Sequence, residues 1–177
     1  MKRDEVSECR IKILHSLSRL PQKMLTAHGR ENVTELVLHE LANNGCFNFL
    51  RAAYLVDNPD FDCLKGVAGF CQAESYQPAG SDVWQDVEKF SNHVQSSPFN
   101  QKVRGLIRPS FRRRGASDKE VAGALAGELG MQDHAFHMWD IRNDNHGLLV
   151  YETSVKDMHD LEDLLSGASL LSFCPVF

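Results

Sequence analysis

Residues 117–151 read SDKEVAGALAGELGMQDHAFHMWDIRNDNHGLLVY, and this stretch decides the fold class. Ser117 followed three residues later by Glu120 is a capping box; Val121, Leu125 and Leu129 then recur on one helical face, and Gly130 ends the helix. Ala135–Ile141 and Leu148–Tyr151 carry aromatic and β-branched residues on either side of Asn143-Asp144-Asn145-His146-Gly147, a turn built from residues that tolerate positive φ. A capped helix running into two strands joined by a short turn fits no regular βαβ rhythm. It predicts an α+β domain with a mixed or antiparallel sheet.

The flanks agree. Val6, Cys9, Ile13, Leu17 and Leu20 fall on one helical stripe, with Leu14 beside it, and Pro21 is expected to end that helix. Asn32-Val33-Thr34-Glu35 has the form of a second capping box, ahead of an amphipathic helix with Leu36, Val37 and Leu41, stopped at Asn43-Asn44-Gly45. Residues 46–50, 53–56 and 67–70 read as short strands, with a turn at Asp57-Asn58-Pro59-Asp60 and a loop over 72–80. Ser81 is placed as the cap of a helix carrying Val83, Val87, Phe90 and Val94, and residues 103–107 read as a strand. After Tyr151, Ser154 is placed as the cap of a helix with Met158, Leu161 and Leu165, and residues 170–177 as a closing strand. The whole reads as one domain over 1–177, helical over about 4–44 and α+β over 46–177, with about five helices around the sheet.

The composition suits an ordinary globular chain: 177 residues, 42% hydrophobic and 24% charged. With 24 acidic against 19 basic residues the net charge is −5, so no global basic field recruits nucleic acid or an anionic membrane. The N-terminal residues hold no apolar run of signal-peptide length, and no stretch approaches a membrane span. Cys9, Cys46, Cys63, Cys71 and Cys174 are odd in number and irregularly spaced, which argues against a disulfide framework. A soluble chain in the reducing cytoplasm is the expectation.

Charge is distributed unevenly. Residues 97–117 contain no acid but hold Lys102, Arg104, Arg108, Arg112, Arg113 and Arg114. Arginines before a helix start combine side-chain charge with free backbone N–H groups, which makes Arg112, Arg113, Arg114, Gly115 and Ser117 a candidate site for a phosphate or carboxylate. The alternative is a solvated loop paired with acids such as Asp157, Asp160, Glu162 and Asp163. RNA or DNA is disfavoured because no aromatic stacking platform is interleaved with these bases.

Residues 107–117, Ile107-Arg108-Pro109-Ser110-Phe111-Arg112-Arg113-Arg114-Gly115-Ala116-Ser117, resemble the acyl-CoA-binding turn of GNAT-type N-acetyltransferases. There a strand leads through Q/R-x-x-G-x-G/A into a helix. Arg112, Gly115 and Ser117 take the three motif positions, Ser117 standing where that pattern has Gly or Ala. Val67-Ala68-Gly69-Phe70 is similar to the strand before that turn, and Asn145 with Tyr151-Glu152 to a later signature of the family. The resemblance implies coenzyme A as cofactor, its pyrophosphate on the turn amides, and Tyr151 as general acid.

Three further groups carry candidate chemistry. His134 and His137 lie three apart, which on a regular strand means opposite faces and prevents joint chelation of one ion unless His134 lies in the loop before the strand; His146 belongs to the same expected hairpin. Glu35 and His39 are neighbours on the second helix, and at about 100° per residue they fall opposite the apolar stripe, as an exposed pair. Glu40 falls inside the stripe, where a carboxylate must be paired, neutralised or at the edge. Cys63 follows Asp57, Asp60 and Asp62. It would be a nucleophile only if His137 approached it, oriented by Asp140 or Asn143, whereas the nearby carboxylates oppose thiolate formation. The three aspartates lack the order of a calcium loop.

Three functions therefore stay open: an enzyme or binder for an anionic, acyl-CoA-like ligand at 112–117; a non-catalytic interaction module, with self-association as one form; and a hydrolase using His137, His146, a metal or Cys63.

Overall fold

Two hairpins build the sheet. The first joins β1, Phe49–Asn58, to β2, Cys63–Cys71, in antiparallel register from Asn58 opposite Cys63 to Arg51 opposite Cys71. In this computed structural model, which describes residues 3–27, 29–43, 45–78, 82–154 and 158–174, the expected strands at 46–50 and 53–56 merge into one that starts at Phe49. The second hairpin joins β4, His134–Asp140, to β5, His146–Thr153, and Asn143 (φ 60°) and Asp144 (φ 54°) supply the left-handed turn that the asparagine-rich segment predicts. With β3, Ile107–Arg108, the five strands run in the order β3-β2-β1-β5-β4, antiparallel throughout. The chain is thus an α+β domain with an antiparallel sheet.

Both sheet faces are covered. Ala52, Tyr54, Leu149 and Tyr151 pack with α1 (Arg3–Thr26), α2 (Val33–Ala42), α3 (Val87–Ser96) and a 3-10 helix at Met158–Phe173. Ala53, Leu55, Leu148 and Val150 pack with α4 (Pro98–Arg104), the short α5 (Phe111–Arg114) and α6 (Asp118–Leu129). An antiparallel sheet commonly keeps one wet face and an alternating pattern; two covered faces make the run at 52–56 nearly continuous in apolar residues. On the second face, α4 lies against the β2 backbone. A Cβ on Gly66 would sit 1.8 Å from the Val103 carbonyl oxygen, so only glycine allows this approach.

Several local expectations are corrected. The first helix continues through Pro21 to Thr26, because Leu20 and Ala27 on either side of the proline are both buried in the core. Asn32 makes no side-chain cap, its backbone (φ −106°, ψ 27°) lying outside the extended region of a capping residue, and the Glu35 carboxylate that would complete the box turns to Arg104. Of residues 103–107 only Ile107 lies in a strand, at the start of β3: Ser97 accepts a hydrogen bond from the Asn100 N–H, Pro98 takes the first helical position, and α4 runs to Arg104. The 3-10 helix occupies 158–173 in place of the early part of the closing strand. Ser154 accepts a hydrogen bond from Asn48, and Asp82 caps a 3-10 turn at Val83–Gln85 ahead of α3. Asn44, Ser81, Asp157 and residues 175–177, which those expectations also named, lie outside the described residues, as does the Asp160 side chain. The box at Ser117 and Glu120 and the left-handed stop at Gly130 form as read.

Among the described residues no helix is long and apolar enough to cross a membrane.

Candidate functional site

Ser110 starts α5 by accepting from the Arg113 N–H, and donates its hydroxyl to the buried Asp57 at 2.9 Å. Asp57 also takes the Arg112 N–H, and Asp62 takes the Ser110 N–H at 3.1 Å. At the start of α6 the Glu120 carboxylate accepts from the Ser117 N–H at 3.0 Å and from its hydroxyl at 2.7 Å, which holds Glu120 below the usual carboxylate range. Three acids from the chain therefore occupy these amides. The basic side chains are partly neutralised as well: Arg104 pairs with Glu35, Arg108 with Glu128, and Arg112 with Asp118 at 3.2 Å. Arg113 and Arg114 remain exposed, and Gly115 takes φ +68° to turn the chain between the two helices.

Tyr151 is not brought to this segment. It is buried against Phe49, 4.7 Å between ring centroids, on the sheet face opposite Phe111. Burial pushes its hydroxyl up to about 12. Cys63 and His137 are not brought together either. Their strands, β2 and β4, are separated by β1 and β5, roughly 14 Å at the usual strand spacing. His146 bonds Asp140 at 2.9 Å and pairs in register with Asp57, on the other face from Cys63. His134 and His137 both lie in β4, on opposite faces. Among the described residues no group of three or more His, Cys, Asp or Glu side chains could hold a metal ion.

The second helix holds the unexpected site. Glu35 and His39 were expected in solvent, yet Glu35 is buried and His39 is wedged between the edges of Phe70 and Phe90, 5.5 Å from each. The reason is that α2 packs on two sides at once, against β1 and β2 and against α1 and the 158–173 helix. A signal existed in the sequence: Leu38 lies outside the stripe drawn from Val33, so the helix is apolar almost all round, the mark of a buried helix.

Glu35 bonds Arg104 at 2.9 Å; burial nonetheless outweighs the guanidinium and raises its pKa. Burial, with the charge of His93, lowers the pKa of His39 despite the Tyr76 backbone and Glu40, so the ring is neutral at pH 7. Its Nε2 is buried and has no hydrogen-bond partner among the described residues. Glu40, the acid inside the stripe, is paired: Lys23 lies 3.1 Å away and the Trp84 indole N–H donates to it at 3.1 Å. Lys23 also reaches Asp82 at 3.4 Å.

His39, Glu40, Lys23 and Asp82 share one cleft of about 710 Å³, which Arg19 and Tyr76 also line and Glu35 does not. Lys23 is shared by two carboxylates, whereas Arg19 has no ion-pair partner among the described residues. The Tyr76 hydroxyl is turned to Asp86 at 2.7 Å, a bond that raises the tyrosine and lowers the aspartate. The cleft therefore combines an unshared cation, a neutral imidazole acceptor and a fixed ion-pair network.

Comparison with protein-family models, with curated proteins and with solved structures finds no match for this chain.

Proposed function

We propose that the cleft at His39 binds a small polar molecule carrying an anionic group. Arg19 attracts the anion, and His39 Nε2 accepts a hydrogen bond from an O–H or N–H of the ligand. The observation that carries this reading is the buried Nε2, unpartnered among the described residues, of a histidine that lines a polar cleft. A buried acceptor without a partner costs about 1–3 kcal/mol, and a bound donor removes that cost. A neutral histidine of this kind is also a proton acceptor, so the same site suits deprotonation of a bound hydroxyl. The test is a thermal-shift screen of small organic acids, sugar phosphates and nucleotides. Hits should lose their effect in both His39→Phe and Arg19→Glu, with the unliganded variants still folded. Hits that stabilise His39→Phe equally would assign Nε2 to a second cavity of about 20 Å³ that His39 also lines, room for one water, and overturn the reading.

A second reading keeps an anionic, acyl-CoA-like ligand at residues 107–117. In its favour are the order strand, short helix, Gly115 and capped helix and, among the described residues, the unpaired Arg113 and Arg114; Asp57, Asp62 and Glu120 compete with any anion there. Coenzyme A should then raise the melting temperature, and changing Arg112 and Arg114 to Glu should abolish the effect. No shift at saturating coenzyme A removes this reading.

A further inference from the structure

The two edges of the sheet differ. β3 closes one edge with two residues followed by Pro109, a common way to blunt a strand. β4 forms the other edge with seven residues, HAFHMWD, holding no Pro, Gly or Lys. Its bonding pattern follows from the turn. The Ile141 N–H donates to the Asn145 carbonyl at 2.7 Å, so Trp139, His137 and Ala135 bond β5 and the residues between them turn their backbone outward. The outward N–H and C=O groups of Phe136 and Met138 have no partner among the described residues.

We propose that β4 is a dimerisation strand, pairing antiparallel with β4 of a second copy so that the two five-stranded sheets become one. The proposal stands on this edge alone and is independent of the cleft. Centring the twofold axis on His137 is the register that uses all seven residues. It sets Phe136 opposite Met138 of the partner subunit and Ala135 opposite the partner's Trp139, an apolar pair and a small-against-large pair. It sets His134 opposite the partner's Asp140, whose side chain is 89% exposed, so that an imidazole N–H meets a carboxylate at each end of the strand. Moving the axis by one residue toward the C-terminus puts Phe136 opposite an aspartate, and moving it the other way leaves Asp140 opposite Gln132, outside the strand. The outward residues form the hydrogen-bonded pairs, and the two His137 residues face each other as a non-bonded pair. A second copy fits because a twofold interface must be self-complementary, and this strand is.

Sedimentation velocity on the full chain, from about 1 µM to 1 mM, tests the idea over the range of weak association. A concentration-dependent dimer is expected. Met138→Pro should make it monomeric with unchanged circular dichroism, because that N–H points away from β5. Asp140→Lys should weaken the dimer about tenfold, and His134→Glu in the same chain should restore it. Should Met138→Pro fail to fold, His137→Cys decides: mild oxidation should link the two 137 positions, as mapped by peptide mass spectrometry. A monomer at every concentration overturns the proposal. So does a dimer that survives both Met138→Pro and Asp140→Lys, or one that His137→Cys does not link.

Discussion

Replacing Arg104 by Met keeps most of the aliphatic stem and removes the charge that faces Glu35. The Glu35 carboxylate is 3% exposed and the Arg104 side chain 41%, with 2.9 Å between them. Removing one partner of a buried pair costs about 3–5 kcal/mol; the exposed guanidinium is screened by water, which puts this case near 3. In a chain of this size 1 kcal/mol moves the melting temperature by about 2–4 °C, so a fall of about 6–12 °C is expected at pH 7.5. The cost has a sign in pH. Burial raises the folded-state pKa of Glu35 above its ordinary value of 4.5, so in the window between the two the folded chain holds a proton that the unfolded chain has released. Stability is therefore lost as pH rises through the folded pKa. Without Arg104 that pKa climbs further and the loss grows, so the Arg104→Met penalty should shrink as the pH is lowered toward 5. Adding Glu35→Gln should recover much of the stability at pH 7.5, because the orphaned group is then neutral. Thermal melts of the two single variants and the double variant at pH 5 and 7.5 test this. A shift below about 2 °C, or a double variant no better than Arg104→Met alone, would refute the reasoning.

Two glycines should respond in opposite directions. Gly66→Ala drives a Cβ into the Val103 carbonyl and should cost about 3 kcal/mol or more by forcing α4 off the sheet, whereas Gly127→Ala, in the exposed interior of α6 with nothing within 4 Å, should stabilise by about 0.5–1 kcal/mol. Melting curves that rank the two variants the other way would contradict the packing described. Burial lowers the pKa of His39, so the unfolded chain takes up its proton first and stability falls as pH drops below about 6.5, at no more than about 1.4 kcal/mol per pH unit for this residue. His39→Phe should flatten the wild-type decline between pH 7.5 and 5.5, and an unchanged decline would mean that His39 is not a buried neutral ring.

How much was legible in the sequence depended on the reach of each interaction. The Ser117 box joins residues three apart, and the turn at Asn143 and Asp144 is closed by local backbone preference; both formed as read. The start of α4 was equally local. Ser97-Pro98 is a cap followed by proline at the first helical position, a readable signal overshadowed by the β-branched residues at 103 and 107. The cleft was only half legible. Glu40 stood out as a carboxylate in an apolar stripe, but its partners Lys23 and Trp84 lie 17 and 44 positions away, and Arg104 lies 69 from Glu35. No helical wheel drawn on α2 alone can show that its second side is also covered.

By itself, the sequence determined where α6 is capped and stopped, where the second hairpin turns, and that the chain is an α+β domain, because those outcomes depend on backbone preferences and contacts within a few residues. Tertiary structure alone decided that both faces of the sheet are buried, that a helix runs on past Pro21, that Tyr151 and the arginine turn stand on opposite faces, and that His39 looks into a cleft. Each of these is set by which distant segment removes a given side chain from water, a long-range free energy that no window along the chain contains.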